Sequence, residues 1–270
     1  MEETRAGSPV AAVVPSLNPT RQLTSTVEGL LAAGFARVIL VNDGSRPETE
    51  EYFQELDRLP QVTLLTHPVN RGKGAAMKTA FTWLLEHWPD CPGVVTVDGD
   101  GQHHPEDALA CAQKMLAEER VILGCRDFSR PEVPPRSRTG NRITRGVFRV
   151  FCGMSLSDTQ TGLRAIPRRY LEELTAVAGD RYEYETNMLL ALKQRRIPWG
   201  EMKIRTIYLE ENRSSHFHVV RDSWRIYKLI LAHFFRYTLS SLASAVADTG
   251  LFGLLSALLV PEQGGDLLPV

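Results

Sequence analysis

The stretch that decides the fold is Val94-Val95-Thr96-Val97-Asp98-Gly99-Asp100-Gly101-Gln102, in which a short apolar run leads directly into two carboxylates. A run of this kind is typical of a strand that is buried on both faces of a parallel sheet. In open α/β sheets the ligand crevice lies outside the carboxyl ends of the strands. Both aspartates are therefore expected at the edge of such a crevice.

Asp98 and Asp100 are two residues apart, so in an extended chain their carboxylates face the same side and repel each other. A divalent cation relieves this repulsion, and hard oxygen ligands suit Mg²⁺ or Mn²⁺. The glycines between and after them let the backbone approach a ligand closely. The alternative is a plain Asp/Gly turn before a helix that begins at Pro105. We favour a metal site.

Working outward from this stretch, short apolar runs alternate with helical patterns, which predicts an open, mostly parallel α/β sheet flanked by helices. The predicted strands are Val10–Val14, Val38–Val41, Val62–Leu65, Val94–Val97 and Val121–Leu123. The predicted helices between them are Thr24–Ala33, Glu48–Leu59, Ala75–His87 and Pro105–Glu118. Beyond Gly124 the alternation stops, and we expect helices at Arg142–Phe151, Arg168–Ala178 and Glu185–Gln194 and a strand at Met202–Leu209.

Composition excludes several classes of protein. The 270 residues carry 31 Lys and Arg against 32 Asp and Glu, and 43% are hydrophobic, so the chain is an ordinary globular one. A net charge of −1 does not fit the broad basic surface that a sequence-independent nucleic-acid binder needs. No nucleic-acid partner is therefore expected. The four cysteines lie far apart, which fits a reducing cytosol.

The two ends of the chain differ from its middle. Residues 1–9 are polar, are expected to be disordered and lack the apolar core of a secretory signal. Residues 219–236 form an amphipathic pattern with aromatic and basic side chains, as favoured at an anionic membrane surface. Within 237–270, Leu239–Val260 is long enough to span a bilayer, although a buried core helix is the alternative. Arg236 would keep the large domain, residues 10–218, on the cytoplasmic side.

Other polar segments follow the first two predicted strands or open a helix. Pro15 and Asn18 end the first strand, and Asp43-Gly44-Ser45 ends the second, where an acid commonly binds a nucleotide. The alternative is that Asp43-Gly44-Ser45 only turns and caps the next helix. Asn70-Arg71-Gly72-Lys73-Gly74 offers backbone N–H groups and two cations, among them Lys73, to phosphate. It is neither a Walker A loop nor a complete G-x-G-x-x-G.

Taken together, these segments resemble glycosyltransferase family 2, specifically the dolichyl- and undecaprenyl-phosphate sugar transferases, of which dolichol-phosphate mannosyltransferase is an example. The later segments agree: they are Gly124-Cys125-Arg126, Arg138-Thr139-Gly140-Asn141, Asp158–Arg164, Tyr182–Glu185 and Asn212–His216. The resemblance covers about Val10 to Tyr227 and implies a GT-A type fold. The apolar span resembles the first helix of a GtrA-like membrane domain, so the chain is expected to be truncated.

The resemblance implies roles for individual residues. Those implied for the nucleotide-sugar donor are Pro15, Asn18, Asp43, Lys73, Asp98 and Gln102. Those implied for a Mg²⁺ or Mn²⁺ cofactor are Asp98, Asp100 and Gln102. Those implied for catalysis are Asp98, Asp100, Arg126 and Arg138, and those for the acceptor phosphate are Arg138, Arg213 and Ser215.

The chemistry of the acceptor separates two enzymatic hypotheses. A lipid monophosphate is largely a dianion at pH 7 and needs cations rather than a base, and Arg126, Arg136, Arg138, Arg142 and Arg213 could supply them. A hydroxyl acceptor on a glycan needs a general base, for which Asp158 and Glu183 are the candidates.

Asp158, Gln160 and Arg164 are also candidates for contacts with the donor sugar or the acceptor loop. His103 and His104 are expected to be solvated. A nucleotidylyltransferase or a non-enzymatic nucleotide-sugar binder is less well supported. We therefore predict inverting transfer of a hexose to polyprenyl phosphate at the cytoplasmic face of the membrane.

Overall fold

The computed structural model describes residues 8–130, 133, 135–205, 207 and 238–256, although the side chain of Arg136 lies outside this description. The chain divides into two compact units, residues 1–226 and residues 227–270, which are described separately.

The first unit alternates strands and helices. The strands are β1 (Ser8–Ser16), β2 (Phe35–Asp43), β3 (Val62–His67), β4 (Gly93–Thr96), β5 (Val121–Arg126), β6 (Arg164–Pro167) and β7 (Trp199–Ile204). The helices are α1 (Gln22–Ala33), α2 (Glu50–Asp57), α3 (Lys73–His87), α4 (Pro105–Glu118), α5 (Pro135–Phe151), α6 (Leu171–Thr175) and α7 (Glu183–Gln194).

The strands form one seven-stranded sheet in the order β3-β2-β1-β4-β6-β5-β7. All neighbouring pairs are parallel except those of β6, which runs antiparallel to β4 and β5. The carboxyl ends of β1, β2 and β4 consequently meet at one edge. Because β6 runs the other way, its first residue, Arg164, pairs with Thr96 at the end of β4. The segment before β6 is thereby brought beside the Asp98 turn.

Helices cover both faces of the sheet. On one face, Leu23, Val27 and Leu30 of α1 pack with residues of α2 and α4 against alternate β1 side chains such as Val10 and Val14. Helices α3, α6 and α7 pack together in the other layer. Burial of both faces explains why the central strands are nearly continuous in apolar residues rather than alternating.

The prediction of an open, mostly parallel α/β sheet is confirmed, and all five strands predicted before Gly124 are present. Three details differ. β1 begins at Ser8, inside the segment expected to be disordered. Strand β6 was missed because it has only four residues and includes a charged one. The last strand ends at Ile204, with its start at Trp199 rather than Met202.

Two helices also differ from their predictions. Helix α5 begins at Pro135 instead of Arg142, because proline suits a first helical turn. The helix predicted over Arg168–Ala178 is reduced to a short 3₁₀ turn and the five residues of α6.

In the second unit, the helix α8 (Thr238–Ser256) has 19 residues, all but the last exposed within the described structure. By length and composition it could cross a membrane. The predicted amphipathic helix at 219–236 and the segment 257–270 lie outside the described residues.

Candidate active site

A cleft of about 430 Å³ lies at the edge where β1, β2 and β4 end. Its lining includes six of the residues predicted to bind donor or metal, namely Pro15, Asn18, Asp43, Lys73, Asp98 and Asp100. The lining also includes Arg181 and Tyr182, from the segment before α7, to which no role was assigned from the sequence. The fold therefore brings together three strand ends and the start of α3, as the parallel arrangement predicts.

Lys73 is the central cation of this cleft. Its Nζ atom lies 2.7 Å from Asp98 Oδ1 and 2.9 Å from Glu185 Oε1. Burial alone would lower the pKa of Lys73, but the two carboxylates outweigh this effect and raise the pKa above its usual value. Lys73 therefore stays charged. Glu185 lies on α7, and its contact with Lys73 spans 112 residues, so no local sequence pattern predicts this contact.

The two aspartates of the central stretch differ in their surroundings. Partial burial opposes ionisation of Asp98, but Lys73 and then His103 outweigh burial and hold the pKa of Asp98 below its usual value. For Asp100, burial and the neighbouring Asp98 carboxylate raise the pKa. One carboxylate oxygen of Asp100 accepts a hydrogen bond from the backbone N–H of Gln102 at 3.0 Å. Asp100 is thus the carboxylate whose charge is least compensated.

The carboxylates of Asp98 and Asp100 fit a divalent cation whose remaining coordination positions are filled by water and by substrate phosphates. Within the described ranges, no cluster of three or more His, Cys, Asp or Glu side chains is arranged to hold a metal. Mg²⁺ does not require such a cluster, since it is usually bound by one or two carboxylates, waters and substrate phosphates. Asp98 and Asp100 would hold the cation, and Gln102 follows them directly. Burial and then the neighbouring Asp98 carboxylate raise the pKa of Asp100, and a bound cation would favour its charged form.

The interpretation of His103 as a solvated residue is wrong. Only 8% of its side chain is exposed, and its Nε2 atom lies 3.7 Å from Asp98 Oδ2. Its Nδ1 atom is buried and has no hydrogen-bond partner in the described part of the chain. The adjacent His104 is more open, with 31% of its side chain exposed. The sequence pattern missed His103 because the turn after Asp100, rather than α4, sets its direction.

Asp43 is buried at the end of β2, and both of its carboxylate oxygens are engaged. Oδ1 lies 2.7 Å from His67 Nδ1 and accepts the backbone N–H of Arg71 at 2.9 Å. Oδ2 accepts the backbone N–H of Gly72 at 2.7 Å. Asp43 therefore fixes the loop that leads into α3, while it also lines the cleft. Its contact with a nucleotide base stays a prediction.

Asn18 joins the first two strand ends. Its backbone N–H donates to Ser45 Oγ at 2.9 Å, and its side-chain oxygen accepts the backbone N–H of Arg46 at 2.8 Å. Asn18 has a positive φ of 48°, which asparagine tolerates better than most residues. The side chain thus shapes this end of the cleft.

Arg126 and Asp158 form a bidentate ion pair. Arg126 Nε lies 2.7 Å from Asp158 Oδ2, and Arg126 Nη2 lies 3.0 Å from Oδ1. Asp158 is fully buried and also accepts the backbone N–H of Gln160 at 3.0 Å. Arg164, a further candidate for the donor or acceptor, is buried as well and donates to the backbone carbonyls of Thr161 and Glu185.

Some of the remaining residues predicted to bind the acceptor phosphate are exposed, and the others lie outside the described residues. Arg138 is exposed on α5, and its Nη2 donates to the backbone carbonyl of Arg130 at 3.0 Å. Arg142 is also exposed on α5. Arg213 and Ser215 lie outside the described residues, as does the side chain of Arg136.

The sequence matches glycosyl transferase family 2 over residues 11–175, which is more than half of the chain. The chain belongs to this family. It is a nucleotide-sugar glycosyltransferase, as the sequence predicted.

Two archaeal relatives match most of the chain. An uncharacterized protein of Methanocaldococcus jannaschii is 28% identical over 231 residues, which are 84% of this chain and 93% of that protein. The UDP-N-acetylglucosamine–dolichyl-phosphate N-acetylglucosaminyltransferase of Methanococcus voltae is 26% identical over 81% of this chain and 94% of its own length.

The fold is that of known glycosyltransferase structures. Glucosyl-3-phosphoglycerate synthase of Mycobacterium tuberculosis, in complex with Mn²⁺, UDP and glucosyl-3-phosphoglycerate, aligns with a TM-score of 0.61 and 15% identity. The alignment covers 96% of this chain and 83% of that one. The same enzyme has been crystallised with Mg²⁺ and UDP. The likeness establishes the GT-A type fold, in agreement with the prediction.

In this family member, Gly162 leaves room for the Asp98 carboxylate. A Cβ atom at position 162 would overlap Asp98 Oδ2, while the Gly162 carbonyl accepts a hydrogen bond from Thr96 Oγ1 at 2.7 Å. We expect Gly162→Ala to displace Asp98 and to weaken Mn²⁺ binding about tenfold or more. A loss of about 1.4 kcal/mol in binding free energy corresponds to a tenfold loss of affinity. Isothermal titration with Mn²⁺ and a nucleoside diphosphate would measure this effect.

Gly140→Ala is the matched control, because a Cβ atom at that position would meet nothing within 4 Å. It should bind Mn²⁺ as the unaltered protein does. Unchanged Mn²⁺ affinity in Gly162→Ala would show that Asp98 does not depend on this close approach.

Lys73 occupies the space beside Asp98 that a divalent cation would also approach. In Lys73→Met, Asp98 and Glu185 lose their cation, so Mn²⁺ alone should bind about tenfold more tightly, in line with the ~1.5–3 kcal/mol of a charged hydrogen bond. A nucleoside diphosphate should bind more weakly, because its phosphates lose a cation. Titrations with Mn²⁺ alone and with diphosphate would separate the two effects. Lys78→Met, which removes a lysine paired with the exposed Asp180, is the control. Changes of the same sign in both titrations would contradict this role of Lys73.

Proposed function

We propose that this glycosyltransferase moves a hexose from a nucleotide-diphospho-sugar to a polyprenyl phosphate, such as dolichyl or undecaprenyl phosphate, with inversion and with a divalent cation at Asp98 and Asp100. The observation that carries the choice of acceptor is the Arg126–Asp158 ion pair. It leaves the first candidate for a general base without a free carboxylate oxygen.

The second candidate base is also engaged. Glu183 Oε1 accepts the backbone N–H groups of Asp180 and Arg181, each at 3.3 Å, at the beginning of α7. A hydroxyl acceptor would need one of these carboxylates to take its proton. A phosphate acceptor is already deprotonated at neutral pH, because its second pKa is about 6. The positions of Asp158 and Glu183 therefore favour the phosphate.

The donor is proposed to lie in the cleft. Pro15, Asn18 and Asp43 would face the nucleoside, and Lys73 would face the diphosphate. A bound Mg²⁺ or Mn²⁺ would act as a Lewis acid on the leaving diphosphate. An oxygen of the lipid phosphate attacks the anomeric carbon while the bond from that carbon to the diphosphate breaks, and the nucleoside diphosphate leaves with the bonding electron pair.

The acceptor phosphate is proposed to bind Arg138, Arg213 and Ser215, with Arg126 beside them. Guanidinium groups bind phosphate through paired hydrogen bonds, which suits a dianion better than an ammonium does. The Methanococcus voltae relative, whose name gives dolichyl phosphate as its acceptor, supports this assignment.

The membrane location is likewise part of the proposal. Helix α8 has the length and composition of a membrane span, and Arg236 precedes it, which favours a cytoplasmic catalytic domain. On this proposal 10–218 is the catalytic domain, 219–236 is an interfacial helix, and 237–270 contains a transmembrane helix of GtrA-like type.

The test is a transfer assay with radiolabelled nucleotide sugars, polyprenyl phosphate and Mg²⁺ or Mn²⁺. We expect label to enter the lipid fraction with at least one donor, and excess EDTA to abolish the product. Label that appears only in a water-soluble or glycolipid product with a hydroxyl acceptor would refute the phosphate acceptor. Full product formation in EDTA would refute the metal.

A further inference from the structure

Helix α5 carries a row of arginines on its outer side. Arg138, Arg142, Arg145 and Arg149 follow one another at intervals of four, three and four residues, so they lie along one side of the helix. All four side chains are exposed. Such a row gives a rigid, elongated cationic surface.

A second exposed row consists of aliphatic side chains. Ile143 is 54% exposed and Val150 is 73% exposed, and their spacing of seven residues places them on one side of the helix, about a third of the way around it from the arginine row. In the described part of the first unit, the only other large aliphatic side chains that are exposed are Val69 and Leu116. The exposed part of one helix therefore carries both a cationic row and an apolar row.

The opposite side fixes the orientation of these rows. Asn141, Thr144 and Phe148 are buried, and the Asn141 side chain donates to the Ser157 carbonyl at 2.9 Å. The helix cannot turn its arginines inward without exposing Phe148. The outward direction of both rows is thus set by packing of the domain itself.

The charge of this surface is uncompensated. Helix α5 contains no Asp or Glu, and no ion pair to its four arginines is present among the residues that the structure describes. Two of the arginines donate to backbone carbonyls, Arg138 to Arg130 and Arg145 to Leu156, which orders the side chains but leaves their charge. An anionic partner is therefore required for complementarity.

We propose that the outer face of α5 docks on the surface of an anionic lipid bilayer. Lipid phosphates would pair with the arginines, while Ile143 and Val150 would enter the boundary between head groups and acyl chains. The aliphatic row favours a bilayer over a nucleic acid, whose backbone offers no apolar layer beside its phosphates. The inference rests on the proposed membrane location but not on the identity of the donor or acceptor.

The experiment uses the full chain reconstituted with vesicles of phosphatidylcholine alone or with added phosphatidylglycerol. An environment-sensitive dye is attached at Ile143→Cys in a Cys152→Ser background, because the other native cysteines are buried. We expect a blue shift of emission in anionic vesicles relative to neutral ones, and a decrease of this shift at high salt. The same dye at Leu116→Cys, on α4, should show no difference between the two lipids.

Arg145→Gln with Arg149→Gln should remove most of the shift, while Arg145→Lys with Arg149→Lys should keep it. This pair separates loss of charge from loss of fold. The proposal would be overturned by equal emission in both kinds of vesicle or by equal shifts of the dye at Leu116→Cys. It would also be overturned by a shift that appears without lipid and grows with protein concentration. A shift in neutral vesicles on addition of RNA or DNA would also overturn it. The assay contains no sugar donor, so its outcome is separate from that of the transfer assay.

Discussion

Replacement of Asp100 by asparagine is expected to lower the rate of sugar transfer by about 100- to 1000-fold. The side chain keeps its size and can still accept the Gln102 N–H, so the turn is preserved. What is lost is the charge that repels Asp98 and that a cation would neutralise. A Lewis acid contributes several kcal/mol to stabilising a leaving group, and each ~1.36 kcal/mol changes a rate tenfold.

The measurement combines transfer rates with Mn²⁺ binding followed by electron paramagnetic resonance. Asp100→Asn should lose both, while the melting temperature should not fall, because the repulsion between the two carboxylates is removed. Asp57→Asn, an exposed residue at the end of α2, is the matched control and should retain both. If Asp100→Asn binds Mn²⁺ normally and transfers sugar at the usual rate, the metal site does not involve Asp100.

The strand ends of this site could be predicted from the sequence because parallel strands share an edge. Once Val94–Val97 was recognised as a buried strand, Asp98 and Asp100 had to lie beside the ends of the first two strands. The same logic placed Pro15, Asn18 and Asp43 in the cleft, and the structure puts all of them in its lining. Local pattern and sheet geometry were sufficient for this half of the site.

The other half depends on pairings between distant residues. The Lys73–Glu185 contact spans 112 residues, and Arg126 and Asp158 are 32 residues apart. Strand β6, which brings Gly162 against Asp98, is too short and too polar to be recognised, and its antiparallel direction breaks the regular alternation. The sequence pattern of charged residues in such segments is compatible both with solvent exposure and with buried ion pairs. Asp158 could therefore be predicted as a candidate base, but its pairing with Arg126 could not be predicted.

Replacement of Asp158 by asparagine is expected to lower the free energy of unfolding by about 3 kcal/mol, because the Arg126 guanidinium then loses its buried carboxylate partner. Asp158 is fully buried, whereas the Arg126 side chain is 22% exposed and would keep its charge after the substitution. Asparagine can still accept the N–H of Gln160, so the loss should fall on the contact with Arg126. Chemical denaturation followed by tryptophan fluorescence would measure the change.

The same substitution distinguishes an ion pair from a general base. If Asp158 only positions Arg126, adding Arg126→Gln to Asp158→Asn should recover part of the lost stability, since the charge that had faced the Asp158 carboxylate is then removed. If Asp158 were the base for a hydroxyl acceptor, Asp158→Asn would lower kcat strongly while stability and donor KM stayed close to their original values. A stable but inactive Asp158→Asn would therefore reverse the assignment of the acceptor, whereas an unstable protein that regains stability with Arg126→Gln supports a phosphate acceptor that needs no base.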